Sequence, residues 1–142
     1  MTGQLPRSFK SLDELFSAAR KPVLEELYGE YRVNILTGFP DFSWCNHRKV
    51  FYGKEGKGYG YNLMFSGWRW GYFDLRYTQD SHDALLIDYD RKENPFFWRP
   101  IRDYIKCLQK NSLYLGQFRY VVNRKEKCIG YFSLSRKQQI DL

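Results

Sequence analysis

The sequence predicts a mainly β protein: one antiparallel up-and-down barrel of about eight strands, preceded by a short helix. Three observations lead there. Apolar and polar residues alternate in segment after segment, the mark of strands with one buried face. The links between segments are short and rich in turn-forming residues. Aromatic residues reach 19% of the 142-residue chain, an abundance that suits strands. That length matches one hydrophobic core. With 43% hydrophobic and 27% charged residues, the chain is too apolar for disorder and lacks a run long enough to span a bilayer.

Residues 1–10 and 137–142 are expected to be mobile tails flanking a barrel domain over 11–136. Ser11-Leu12-Asp13-Glu14 has the form of a capping box and predicts a helix start. Leu12, Leu15, Phe16 and Ala19 follow at one-face helical spacing, and Lys21-Pro22 stops the helix. A second short turn fits Val23 to Leu27.

The period then changes to two. Glu30 to Ile35 alternates as a strand, and His47–Tyr52, Gly58–Phe65, Trp68–Thr78, Ala84–Asp90, Ser112–Val122 and Cys128–Ser135 read the same way. Thr37 to Asp41, Gly53 to Gly56, Ser66-Gly67, Gln79 to Ser81 and Asn123 to Glu126 supply turn chemistry. Ile101 to Gln109 suits two readings: Ile101, Ile105 and Cys107 alternate as in a strand, whereas Ile101, Tyr104, Ile105 and Leu108 fit a helical face. As a strand it is the eighth. Eight such strands close naturally, and closure removes exposed edges.

The net charge of +7 favours anionic partners without choosing among nucleic acid, acidic lipid and small acids. Cys45, Cys107 and Cys128 are odd in number and widely spaced, which points to reduced thiols. The first ten residues lack the apolar stretch of a secretory signal, so a cytoplasmic location is expected.

Gly29-x-Tyr31 opens the first strand, and the final strand ends Gly130-Tyr131-Phe132-Ser133-Leu134-Ser135-Arg136. With the helix and strand layout, this resembles the lipocalin-like, or calycin, barrel. The resemblance implies that Arg136 packs on the aromatic ring at the closed end, with Tyr31 standing where tryptophan is usual. It further implies binding of a small apolar or amphipathic molecule inside the barrel. Independently, Arg136 has the strand parity of Phe132 and Leu134, and stacking on Tyr31 would partly compensate its burial.

Trp68 to Tyr77 is the densest aromatic segment. By strict alternation Trp68, Trp70, Tyr72, Asp74 and Arg76 share one face, and Arg69, Phe73, Leu75 and Tyr77 the other. If the first set faces inward, two indoles and a phenol line a cavity in which Arg76 meets a carboxylate or phosphate. If the second does, the tryptophans mark an outer partner surface. Arg119, level with Gln117, is a further candidate for an acidic ligand. The five candidate ligand-binding residues are therefore Trp68, Trp70, Tyr72, Arg76 and Arg119.

Lys57 to Phe65, with Gly58-Tyr59-Gly60-Tyr61, approaches the strand motif on which single-stranded nucleic acids stack, although Asn62 departs from it. Cys45 and His47 share a strand face but are too few for a structural zinc site, and one histidine suffices for a haem iron. Asp80-Ser81-His82-Asp83 has hydrolase residue types, yet triads are assembled from separate parts of a fold. Asp88, Asp90 and Asp103 are the carboxylates available for acid–base work. The Phe96-Phe97-Trp98 stretch between Asn94 and Pro100 suits a lid, a docking patch or plain packing.

Three functions are consistent with this reading: a non-catalytic barrel holding a small hydrophobic or acidic ligand, a single-stranded nucleic-acid binder using Lys57 to Phe65, and a small isomerase or hydratase acting through Asp88 or Asp103. No catalytic set, metal site or cofactor is assigned, and the oligomeric state is left open.

Overall fold

The computed structural model describes residues 5–38, 47–64, 67–78 and 83–136. Helix α1 spans Phe9–Ala18, one turn earlier than the capping box suggested, and its N-cap is Ser8. The Ser8 side chain accepts the Ser11 backbone N–H at 3.2 Å, the same three-residue reach that Ser11 and Glu14 offered. Phe9 and Lys10 thus belong to the helix, and Leu5 packs against the cluster under α1. After the helix, Arg20 accepts the Cys107 N–H at 2.7 Å and Pro22 bars further helix. Helix α2, Leu24–Leu27, is the second turn.

Eight strands follow: β1 Gly29–Gly38, β2 His47–Lys54, β3 Lys57–Met64, β4 Arg69–Tyr77, β5 Leu85–Asp88, β6 Ile101–Gln109, β7 Leu113–Val122 and β8 Lys125–Arg136. Each pairs antiparallel with its sequence neighbours, and β1 pairs with β8, so the barrel closes in chain order. The Ile101 to Gln109 segment is a strand. Its inward residues Ile101, Asp103, Ile105 and Cys107 alternate, but α1 covers the outer face, burying Tyr104 as well. Two covered faces blur the two-residue period and mimic a helical one.

Tyr31, Phe51, Phe73, Tyr114 and Phe132 fill the interior toward one end. Tyr31 meets Phe51 and Tyr114 edge to face, with centroids 5.5 and 5.6 Å apart. A second apolar layer lies outside the wall, where Leu12 and Phe16 of α1 press on Leu36, Leu86, Leu115 and Tyr131. Tyr131 donates to Asp13 and accepts from Gln117 Nε2 at 2.7 Å, tying the helix to the wall.

Beneath the barrel, α2 closes that same end. Arg136 donates to the carbonyls of Glu26 and Tyr28 at 3.0 and 2.9 Å and to the Tyr31 hydroxyl. Its guanidinium carbon lies 4.9 Å from the Tyr31 ring centroid. Gly29, at φ +134°, passes so close that a Cβ would sit 3.1 Å from Arg136 Nη1.

Candidate functional site

The orientation of β4 decides what the barrel contains. Gly60 pairs with Phe73 and Asn62 with Trp70, so two residues of β4, Gly71 and Tyr72, oppose the single Tyr61. This is a bulge, and Gly71 adopts φ +59°. Strict alternation fails here: Trp70 faces inward before the bulge, Phe73 and Leu75 after it. Tyr72, Asp74 and Arg76 turn outward, so the expected common face of Trp68, Trp70, Tyr72 and Arg76 is split in two.

At the end away from α2 the barrel holds a cavity of about 620 Å³. Val33, Ile35, Met64, Phe118, Ile129 and Phe132 supply apolar wall, with Trp68, Trp70, Phe97, Trp98 and Tyr120 as the aromatic part. Trp68 and Phe97 are 66% and 56% exposed, which makes them rim residues. Trp98 packs edge-on against Trp70, with centroids 4.9 Å apart.

Asn94 holds the segment that carries Trp98. Its side chain donates to the carbonyls of Tyr72 and Tyr89, both at 2.7 Å, and accepts the Tyr72 N–H at 3.0 Å. Tyr120 secures the far side by donating to the Phe97 carbonyl at 3.0 Å. Of the aromatic triplet, Phe97 and Trp98 line the cavity, while Phe96 is outside the lining and exposed.

The cavity floor is polar. Lys49 of β2 is 4% and Asp103 of β6 1% exposed. Lys49 Nζ donates to Asn62 Oδ1 at 2.7 Å and to the Tyr89 hydroxyl at 2.6 Å, and stands 3.8 Å from Asp103 Oδ2. Tyr89 lies 3.4 Å from the same carboxylate oxygen, to which it donates. Asn62 Nδ2 donates to the Gly71 carbonyl at 3.0 Å, locking the amide so that its oxygen faces the lysine. The ring centroids of Tyr89, Phe132 and Phe73 lie 5.3, 5.5 and 5.8 Å from Nζ.

Burial dominates the protonation equilibria of this cluster. It pushes the Asp103 carboxyl up to about 6, with the Lys49 charge and hydrogen bonds opposing. It lowers the Lys49 ammonium to about 8 against the pull of Asp103, and raises Tyr89 far above its ordinary value. Among the described residues, Asp103 Oδ1 and the indole nitrogens of Trp70 and Trp98 are buried without a hydrogen-bond partner. The Trp98 indole is close to the floor: a Cβ on Gly71 would be 2.6 Å from Asn62 Nδ2 and 3.1 Å from Trp98 Nε1.

Of the sequence candidates, Trp68 and Trp70 line the cavity; Tyr72, Arg76 and Arg119 do not. Arg76 is on the outer wall, 2.6 Å from Asp88, which Arg102 also approaches at 3.4 Å. Arg119 donates to Gln117 at 2.7 Å and lies over the Tyr104 ring, on the outer side of the wall. Asp88 is thus an outer carboxylate and Asp103 an inner one.

Tyr59 and Tyr61 face outward too, half-buried in a group with Tyr52 and Tyr72, with Arg69 4.5 Å from the Tyr61 ring. His47 lines the cavity, 5.8 Å from Trp70 between ring centroids. Cys45, Phe65, Asp80, Ser81 and His82 lie outside the described residues.

Lys49 and Tyr89 carry no site reading in the sequence; Asn62 enters only as a departure from the nucleic-acid motif, and Trp98 only within the aromatic stretch read as a lid, a docking patch or plain packing. For Lys49 and Asn62 the signal was parity: Lys49 alternates with Phe51, and Asn62 with Gly60, so both are polar residues on inward positions.

Fold and site together define a closed eight-stranded antiparallel barrel whose cavity has aromatic walls and a polar, charged floor. No family model matches the chain, and no curated protein does. Among solved structures, a protein from Thermomonospora curvata is similar, with a TM-score of 0.65 and 15% identity over 94% of this chain and 90% of that one. That likeness concerns the fold. No described helix is long and apolar enough to cross a membrane.

Proposed function

We propose that this chain is a binding protein of the lipocalin-like kind, which holds one small amphipathic molecule with its apolar body among the tryptophans and its polar head on the Lys49–Asp103 floor. The observation that carries this reading is the 620 Å³ aromatic cavity ending on buried polar atoms that lack partners among the described residues. A cavity of that size suits a ligand of drug or lipid dimensions. Two indole N–H groups and an ammonium offer donors, and Asp103 Oδ1 offers an acceptor, so the head group both accepts and donates hydrogen bonds. The Gly29, Tyr31 and Arg136 arrangement at the opposite end supports the lipocalin-like assignment. Free thiols at Cys107 and Cys128 suit a reducing compartment such as the cytoplasm.

Native mass spectrometry of the protein purified from cells, followed by tryptophan fluorescence titration with palmitate and with a tetrapyrrole, tests the reading. Added mass, or saturable quenching at micromolar ligand, is the expected result. If the as-purified protein carries no added mass and neither compound quenches, the binding reading fails.

A second reading, single-stranded nucleic-acid binding, draws on the outward tyrosines and Arg69. The nearby Arg91 is already engaged by Asp74 at 3.2 Å and Glu93 at 3.0 Å, which ranks this reading second. It requires retardation of a single-stranded oligonucleotide at low salt and a steep loss of affinity as salt rises.

A further inference from the structure

We propose that Lys49 is a nucleophile, and that the cavity captures an apolar aldehyde by forming an imine between its carbonyl carbon and Lys49 Nζ. The inference rests on the binding reading above and adds a covalent step to it. Electrostatic support for a bound ligand does not require a buried lysine. A carbonyl-reactive amine, by contrast, needs an apolar surround to release its proton, a base to take it and an acid to expel water. All three stand around this atom.

The aromatic rings of Tyr89, Phe132 and Phe73 surround Nζ within 6 Å, and Asp103 Oδ2 is 3.8 Å away. The Tyr89 hydroxyl lies between the two, 2.6 Å from Nζ and 3.4 Å from the carboxylate. Asn62 Oδ1, at 2.7 Å, fixes the direction of the amine. The cavity gives a ligand its approach to the lysine.

The step balances without oxidant or reductant. The Lys49 ammonium first gives a proton to the Asp103 carboxylate, leaving a neutral amine and a neutral acid. The amine lone pair adds to the carbonyl carbon as the C=O π bond breaks, and one N–H proton moves to the new alkoxide through the Tyr89 hydroxyl. Asp103 then protonates the departing hydroxyl. The C–O bond breaks, the nitrogen lone pair forms C=N, and water leaves. The product is an iminium with the Asp103 carboxylate as its counter-ion, so the charge of the floor is the same before and after. The lowered proton affinity of Lys49 and the raised one of Asp103 both favour the neutral pair from which the step begins. At pH 7.5 a lysine near 8 holds roughly 200-fold more free amine than an ordinary one.

Cinnamaldehyde with cyanoborohydride at pH 7.5 traps the imine as a secondary amine, and cinnamyl alcohol reports binding without capture. Digestion should find the Lys49 peptide heavier by the mass of the aldehyde less one oxygen, labelled about tenfold or more faster than exposed lysines such as Lys21 and Lys57. Lys49→Arg, which keeps the charge but has no condensing amine, should abolish that label. Tyr89→Phe should lower the limiting rate of trapping at saturating aldehyde, a loss in the capture step that a tyrosine acting only on binding would not produce. If the alcohol binds but Lys49 labels no faster than surface lysines, the imine is overturned and the binding reading stands. If neither compound binds, both fall.

Discussion

Lys49 and Asp103 form a buried charge pair in a mostly aromatic interior, and such pairs are seldom stabilising. Removing two charges from water costs several kcal/mol per ion, which the attraction only partly offsets. The direction of each shift gives the pH window. Asp103 binds its proton more tightly folded than unfolded, so its contribution to stability falls as pH rises from about 4 to about 6. Lys49 binds its proton less tightly folded, so its contribution rises from about 8 toward 10.5. Between 6 and 8 the full cost of both charges is present. A Lys49→Met, Asp103→Asn double variant should therefore exceed the wild type in urea stability by about 1–4 kcal/mol near pH 7, with the gap narrowing on either side. A difference that stays flat with pH would contradict the assignment. These residues were legible only in part: Asp103 was one of three carboxylates available for acid–base work, whereas Lys49 looked like any strand lysine until its partners arrived from β3, the β5–β6 link and β6.

At the level of elements, β4 is where alternation was least reliable. In Trp68 to Tyr77 the departure comes down to one residue: Gly71 at φ +59° inserts an extra position and moves Tyr72 and Arg76 to the outer wall. The bulge also lets the Gly71 carbonyl take the Asn62 amide and leaves room for the Trp98 indole. Gly71→Ala should cost about 1–3 kcal/mol in denaturant unfolding, from the left-handed backbone and from a Cβ only 2.6 Å from Asn62 Nδ2. It should also shift the tryptophan emission, because Trp70 and Trp98 repack. An alanine variant with unchanged stability and emission would mean that the bulge does not set the cavity wall. Strand β6 is the complementary case, since a helix on its outer face hid a regular strand.

For the whole molecule, the two ends of the barrel differ in construction. One is sealed by α2, with Arg136 joining the carbonyls of Glu26 and Tyr28 to the Tyr31 ring; the other opens between Trp68 and Phe97. Arg136→Leu leaves those carbonyls and the Tyr31 hydroxyl short of a donor, and should lower urea stability by about 2–4 kcal/mol. Ligand affinity should hold in conditions where the variant remains folded, because the cavity lies toward the far end. Equal stability of variant and wild type would show that the arginine does not hold the seal.

The sequence by itself determined most of the architecture, seven strand segments and the aromatic character of the wall, because alternation and turn chemistry are local and each strand carries its own record of them; Ile101 to Gln109 is settled as the eighth strand only by the layer that covers its outer face. Tertiary structure alone decided the site. Which side of a strand faces inward depends on bulges set by pairing, as at Gly71. Whether a polar residue is a solvated surface group or part of a buried cluster depends on what distant parts of the chain bring within 4 Å of it, here β3, β6 and the link after β5. Lys49, Asn62, Tyr89 and Asp103 are spread over more than fifty residues of chain, and only barrel closure makes them neighbours.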